Sequence, residues 1–91
     1  MEWFILDVID DEQNNEKFFA VRASEDIRFI IRVSTKAAVN AGDILTPVID
    51  GYILNRNKKL TVKVNRVQPF TITRWYKARR KNYRGSKQSL L

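Results

Sequence analysis

The residues of this chain best suited to chemistry gather near its end. Arg74, Lys77, Arg79, Arg80, Lys81 and Arg84 are interleaved with Trp75, Tyr76 and Tyr83, and residues 73–85 contain no acid. Guanidinium groups pair with phosphate through two parallel hydrogen bonds, and ammonium groups do so as point charges. Aromatic rings stack on unpaired bases, at roughly 1–3 kcal/mol per base. The combination predicts a nucleic-acid surface, with single-stranded DNA or RNA preferred to duplex. Ile72, Trp75 and Tyr76 make too narrow an apolar face for a membrane-surface helix. Trp75 and Tyr76 could equally pack on the rest of the domain, leaving the cations outside.

Two further basic sets extend this surface. Lys59, Lys63 and Arg66 lie on an alternating segment, with Arg56 and Lys58 in the turn before it. Lysine on an edge strand also guards against aggregation, so this set draws its weight from continuity with the tail. The second set depends on pairing. If 17–23 and 26–33 form a hairpin about a three-residue turn at Ser24–Asp26, Arg22 faces Arg28 and Phe18 faces Arg32. All four then share one face, while Phe19, Val21, Ile27, Phe29 and Ile31 share the other. Two arginines directly across a sheet repel unless an anion lies between them. The plainer alternative is that they pair with Glu16, Glu25 or Asp26 on a solvated face.

Catalysis has little to draw on. The chain has no histidine and no cysteine, the commonest general base and the thiolate nucleophile. Gly42, Gly51 and Gly85 are scattered and form no phosphate cradle. Asp7, Asp10, Asp11 and Glu12 crowd one turn, but their spacing matches no calcium loop and reads as a solvated cluster. The expectation is a non-enzymatic protein without cofactor or metal.

Charge is segregated along the chain. Residues 1–50 hold all ten acids against five bases; residues 51–91 hold twelve bases and no acid. Pairing between the halves absorbs some of this excess and leaves the rest for an anionic partner. An alternative role is a protein-interaction module or regulatory subunit, docking through the acidic half or the basic tail. Self-association through the opposed halves belongs with it. The longest unbroken apolar runs, Trp3–Leu6 and Phe18–Val21, are far below the ~18 residues of a membrane span. An acid stands where a signal peptide carries bases, so a soluble, cytoplasmic protein is expected.

The elements that position these residues are mostly strands. "EWFILDVI" (2–9), "KFFAVRA" (17–23), "DIRFIIRV" (26–33), "DILTPVIDGYIL" (43–54) and "KLTVKV" (59–64) are rich in β-branched and aromatic residues. Turn residues separate them, and Pro47 places its segment at an edge or bulge. Asp50-Gly51 reads either as a tight turn or as a bulge in one longer strand. "STKAAVNAG" (34–42) has a capping Ser34 or Thr35, alanines and a terminating Gly42, and predicts a short helix. The expected fold is mainly β: a small five-stranded barrel, OB-fold-like or SH3-like, with that helix between strands 3 and 4. The barrel domain spans 1–69. Residues 70–91 form a basic aromatic extension that packs on or projects from it, strand-like through about Thr73 and helical after.

Overall fold

The structure is a computed structural model describing residues 2–82. Six strands run β1 (Trp3–Asp11), β2 (Glu16–Ser24), β3 (Ile27–Ser34), β4 (Ile44–Val48), β5 (Gly51–Leu54) and β6 (Asn57–Pro69), followed by one helix, α1 (Ile72–Lys81). They close into a barrel in the order β1-β2-β3-β6-β5-β4, with β4 returning to β1 and every pair antiparallel.

The mainly β barrel agrees with the sequence; the strand count does not. Segment 43–54 is a hairpin rather than one strand, since Val48 pairs with Gly51 across the Ile49–Asp50 turn. That extra reversal has a topological consequence. Closing an all-antiparallel sheet requires an even number of strands, so the sixth strand lets β6 meet β3 antiparallel. Gly51 takes a left-handed φ of 148°, and a Cβ added there would lie 3.1 Å from the Val62 carbonyl oxygen. Gly51→Ala is expected to lower unfolding free energy by about 1–3 kcal/mol, measured by urea denaturation. Pro47 is accommodated because β4 pairs with β1 only through Ile44 and Leu45. Its missing N–H is therefore not required by a neighbour on that side.

The short helix expected over 34–42 is absent; residues 35–43 form an irregular connection. Its polar groups find partners outside a helical ladder. The Thr35 hydroxyl donates to the Thr61 carbonyl at 2.7 Å and accepts the Ala37 N–H at 3.1 Å. The Asn40 N–H donates to the Asp43 carboxylate, and the Gly42 N–H to the Ile5 carbonyl at 2.8 Å. Such side-chain bonds compete with helix formation. Within this connection Val39 joins the barrel core.

Hydrophobic residues occupy two layers. Ile5, Phe19, Val21, Ile31, Val33, Leu45, Leu54 and Val62 fill the barrel interior. Ile9, Phe18, Ala20 and Ile30 lie on the outer face of β1–β2–β3, where Trp75 of α1 covers them. This second layer is why the strands read as continuous apolar runs: both of their faces are buried. Ile27 is a correction, because it pairs with Ser24 at the hairpin end and is half exposed rather than in the core. No helix among the described residues is long and apolar enough to cross a membrane.

Two polar contacts hold the strand ends. The buried Asp11 carboxylate accepts the Asn14 amide group at 2.8 Å and its backbone N–H at 3.3 Å, bracing the β1–β2 turn. The acidic turn thus has a structural role. Glu2 accepts two hydrogen bonds from Arg56, at 2.8 and 3.0 Å, and one from Thr46 at 2.9 Å. These bonds, with that from Arg56 the largest, lower the Glu2 carboxyl from 4.5 to about 2. A depressed carboxyl contributes stability that is present above its unfolded pKa and lost as pH falls through its folded one. Between about pH 5 and pH 2, Tm is therefore expected to fall further in the wild type than in Glu2→Gln, checked by thermal melts across that range.

A basic groove between the helix and the outer sheet face

The β2–β3 register places the basic residues on the outer face. Phe18 pairs with Arg32 and Arg22 with Arg28, as the hairpin pattern predicts, although the loop is Glu25–Asp26 with a bulge before Ser24. The row continues onto β6, where Arg32 faces Arg66 and Ile30 faces Gln68. Helix α1 lies across this face. Thr71 caps it by accepting the Arg74 N–H at 3.1 Å. Arg79, Arg80 and Lys81 occupy its last turn, where cations complement the helix dipole. The helix is fastened at Asp7, whose carboxylate accepts the Trp75 indole N–H at 3.0 Å and an Arg79 N–H at 3.2 Å.

Between α1 and the sheet runs a groove of about 260 Å³. Phe18, Ile30 and Ala78 form its apolar part; Arg32, Arg66, Arg74, Lys77 and Lys81 supply five cations; Gln68 completes it. No acid is among these lining residues. Spacing explains the helical contribution, since Arg74, Lys77 and Lys81 recur at three and four residues and share one face. Two of these cations carry local contacts: Arg74 donates to the Pro69 carbonyl at 3.0 Å, and Arg32 lies 3.7 Å from Glu16. Lys77, Lys81 and Arg66 stand exposed at the rim.

Among the described residues, no exposed aromatic ring is displayed with the groove cations. Phe18 is buried, with the Arg32 guanidinium 4.9 Å from its ring centre. Trp75 is buried against Phe70 and has its indole N–H committed to Asp7. Tyr76 is exposed, but on the opposite flank of α1 with Ile72 and Arg79. Arg22 lies 5.5 Å from the Phe4 ring, which places a π-face beside the guanidinium where the sequence had suggested an anion. Arg28 and Arg80 are exposed outside the groove. Tyr83 and Arg84 lie outside the described residues.

Lys59, Lys63 and Arg66 do not line one site. A register shift in the β3–β6 ladder, between Arg32 and Val33, pairs Arg66 with Arg32 and so brings it onto the outer face beneath the helix. Lys59 and Lys63 instead line a wider opening of about 770 Å³ with Lys36, Tyr52 and Leu60. Sequence reasoning missed Ile30, Gln68 and Ala78 as groove residues, and Asp7 as the helix anchor. The signal for Ala78 was its place among bases on a helical face; for Asp7 there was none, because its partners are 68 and 72 positions away.

The structure is thus a small closed barrel carrying one basic helix on its outer face, with cations gathered around an apolar slot. The chain belongs to the IraM/PmrD family, whose model matches residues 1–76. The crystal structure of E. coli PmrD is similar to it at 28% identity and a TM-score of 0.80, covering 90% of this chain and 99% of that one. The solution structure of PmrD from Klebsiella pneumoniae is similar at 28% identity and a TM-score of 0.70, covering 86% and 98%. No curated protein sequence matches.

This membership corrects the expected ligand. The family is one of small regulators that act through protein–protein contacts, which overturns the reading of nucleic acid, single-stranded or duplex, as the ligand. The geometry gives a physical reason: ring stacking on bases requires exposed aromatic faces beside cations, and here Phe18 and Trp75 are covered while Tyr76 lies on the flank of α1 away from the groove cations. The basic residues remain a cationic surface without the stacking platform.

Proposed function

We propose that the protein is a non-catalytic regulator that docks an acidic surface of a protein partner onto the groove between α1 and the β2–β3–β6 face. The observation that carries this reading is the set of five cations around an apolar slot with no acid among the lining residues. Opposed charge steers encounter and fixes orientation, while burial of apolar groups at the centre supplies affinity. Family membership supports a protein as the partner. The lack of histidine and cysteine leaves little for catalysis and suits a binding role.

The test compares proteins retained from cell extract by the immobilised wild type and by two charge variants. Arg66→Glu with Lys77→Glu is expected to lose the specific partner, whereas Asp10→Asn with Glu12→Gln keeps it. Retention of the same partner by the groove variant, with its fold intact by circular dichroism, contradicts the proposal.

A further inference from the structure

The shape of the groove restricts what part of an acidic partner enters it. A bare electrostatic patch needs cations only, yet here Phe18, Ile30 and Ala78 interrupt them. Phe18 and Ile30 are buried in the outer layer, and Ala78 is the half-buried residue of α1 between Lys77 and Lys81. The small side chain at 78 leaves the space between the helix and β3 unfilled. At about 260 Å³ the space falls below the ~300–1,000 Å³ typical of small-molecule sites. It suits one or two side chains of a polypeptide.

We infer that the groove recognises an acidic peptide segment bearing one apolar anchor, whose side chain enters between Ala78 and the Phe18–Ile30 floor while flanking carboxylates pair with Arg66, Lys77 and Lys81. The inference rests on the proposed docking of an acidic partner and specifies what is read there. Three features favour this occupant. The rim charges are all positive, so the flanking groups are anionic. The floor is apolar, so a purely acidic stretch would leave it wet and gain nothing from it. Sheet-edge pairing is not needed, because the face in question lies within the four-strand run β1-β2-β3-β6 and offers side chains rather than an open edge.

Lys77 and Lys81 stand one helical turn apart on either side of Ala78, which places a positive charge on both sides of the slot. Carboxylates on both sides of the anchor are therefore favoured over a single acidic end. Anchors in desolvated pockets carry most of the energy of an interface, and the ring of charges sets orientation.

The full chain is titrated with a fluorescein-labelled twelve-residue peptide of aspartate and glutamate bearing one central leucine, and with the same peptide carrying serine there. Anisotropy is read at low and moderate salt. The leucine peptide is expected to bind about tenfold or more tightly than the serine peptide, the usual scale for burying one leucine side chain. Ala78→Leu, which fills the slot, is expected to remove that preference while leaving the serine peptide unchanged. Lys77→Glu with Lys81→Glu is expected to weaken both peptides. Equal affinity for the two peptides, with both still weakened by the charge reversal, overturns the anchor and leaves acidic docking standing. Insensitivity of both to the charge reversal, or no binding of the leucine peptide, overturns the anchor and the docking site together. The peptide comparison uses the wild-type chain, so it holds even if Ala78→Leu does not fold.

Discussion

Phe19→Ala is expected to lower the unfolding free energy by about 3–5 kcal/mol, the range for removing a fully buried aromatic side chain. Phe19 has no exposed surface and sits in the barrel interior against Val21 and Ile31, among others. It pairs with Val8 on one side and Ile31 on the other, so it is held by three adjacent strands. The barrel walls are hydrogen-bonded all round and cannot collapse into the space, which places the loss in the cavity-forming class. A chain of 91 residues has about 5–14 kcal/mol to lose in total. The substitution therefore removes about a fifth or more of it, and Tm should fall by at least about 12 °C. Urea unfolding should show a lower midpoint with an unchanged slope. A loss below about 1 kcal/mol would mean that the interior is not packed around this ring.

The second large effect concerns the helix. Trp75→Ala is expected to cost about 3 kcal/mol, at the lower end of that range because the outer layer is reached by water more easily than the barrel interior. Trp75 is the one residue of α1 that is buried, and beneath it lie Ile9, Phe18, Ala20 and Ile30. A helix of 10 residues is marginal by itself in water. Losing its anchor should therefore melt it rather than release it intact. Helical circular dichroism should drop and binding of a hydrophobic dye should rise while the β signal persists. Trp75→Phe separates the two contributions: it keeps most of the ring and loses only the indole N–H bond to Asp7, for about 1 kcal/mol. Wild-type stability in the alanine variant would show that α1 is held by something other than this ring.

The sequence showed most of the sheet and only part of the site. Alternation in residues 26–33 assigned Phe29 and Ile31 to one face and Arg28 and Arg32 to the other, and the Phe18–Arg32 and Arg22–Arg28 pairs then followed from register. Spacing of three and four residues likewise puts Arg74, Lys77 and Lys81 on the groove flank of α1 and Ile72, Tyr76 and Arg79 on the other. Residues 34–42 misled because local propensity favoured a helix, whereas long-range partners at Ile5 and Thr61 decided the backbone. Asp50-Gly51 left turn and bulge equally open, and the choice between them set the strand count.

The ligand was misread for a related reason. Composition places Trp75 and Tyr76 beside arginines in the chain, but it does not say which way a ring points. Once Trp75 turns inward to Asp7 and Phe18 is covered, the same cations surround an apolar slot instead of a stacking platform. The opposed charges of the two halves also find use within the fold. Glu2 with Arg56 and Asp7 with Arg79 join the acidic and basic halves, and Lys17 with Asp10 braces the first hairpin.

The most direct measurement is site-specific photo-cross-linking in living cells, with a benzophenone amino acid placed singly at Lys77, Ile49 or Gln13. Lys77 lines the groove; Ile49 is the fully exposed tip of the β4–β5 hairpin, and Gln13 lies in the acidic turn. A discrete protein adduct is expected from position 77, reduced when Arg66→Glu is added, and none from positions 49 or 13. A protein adduct from 49 or 13 alone, or an adduct from 77 that is nucleic acid, would contradict docking at the groove.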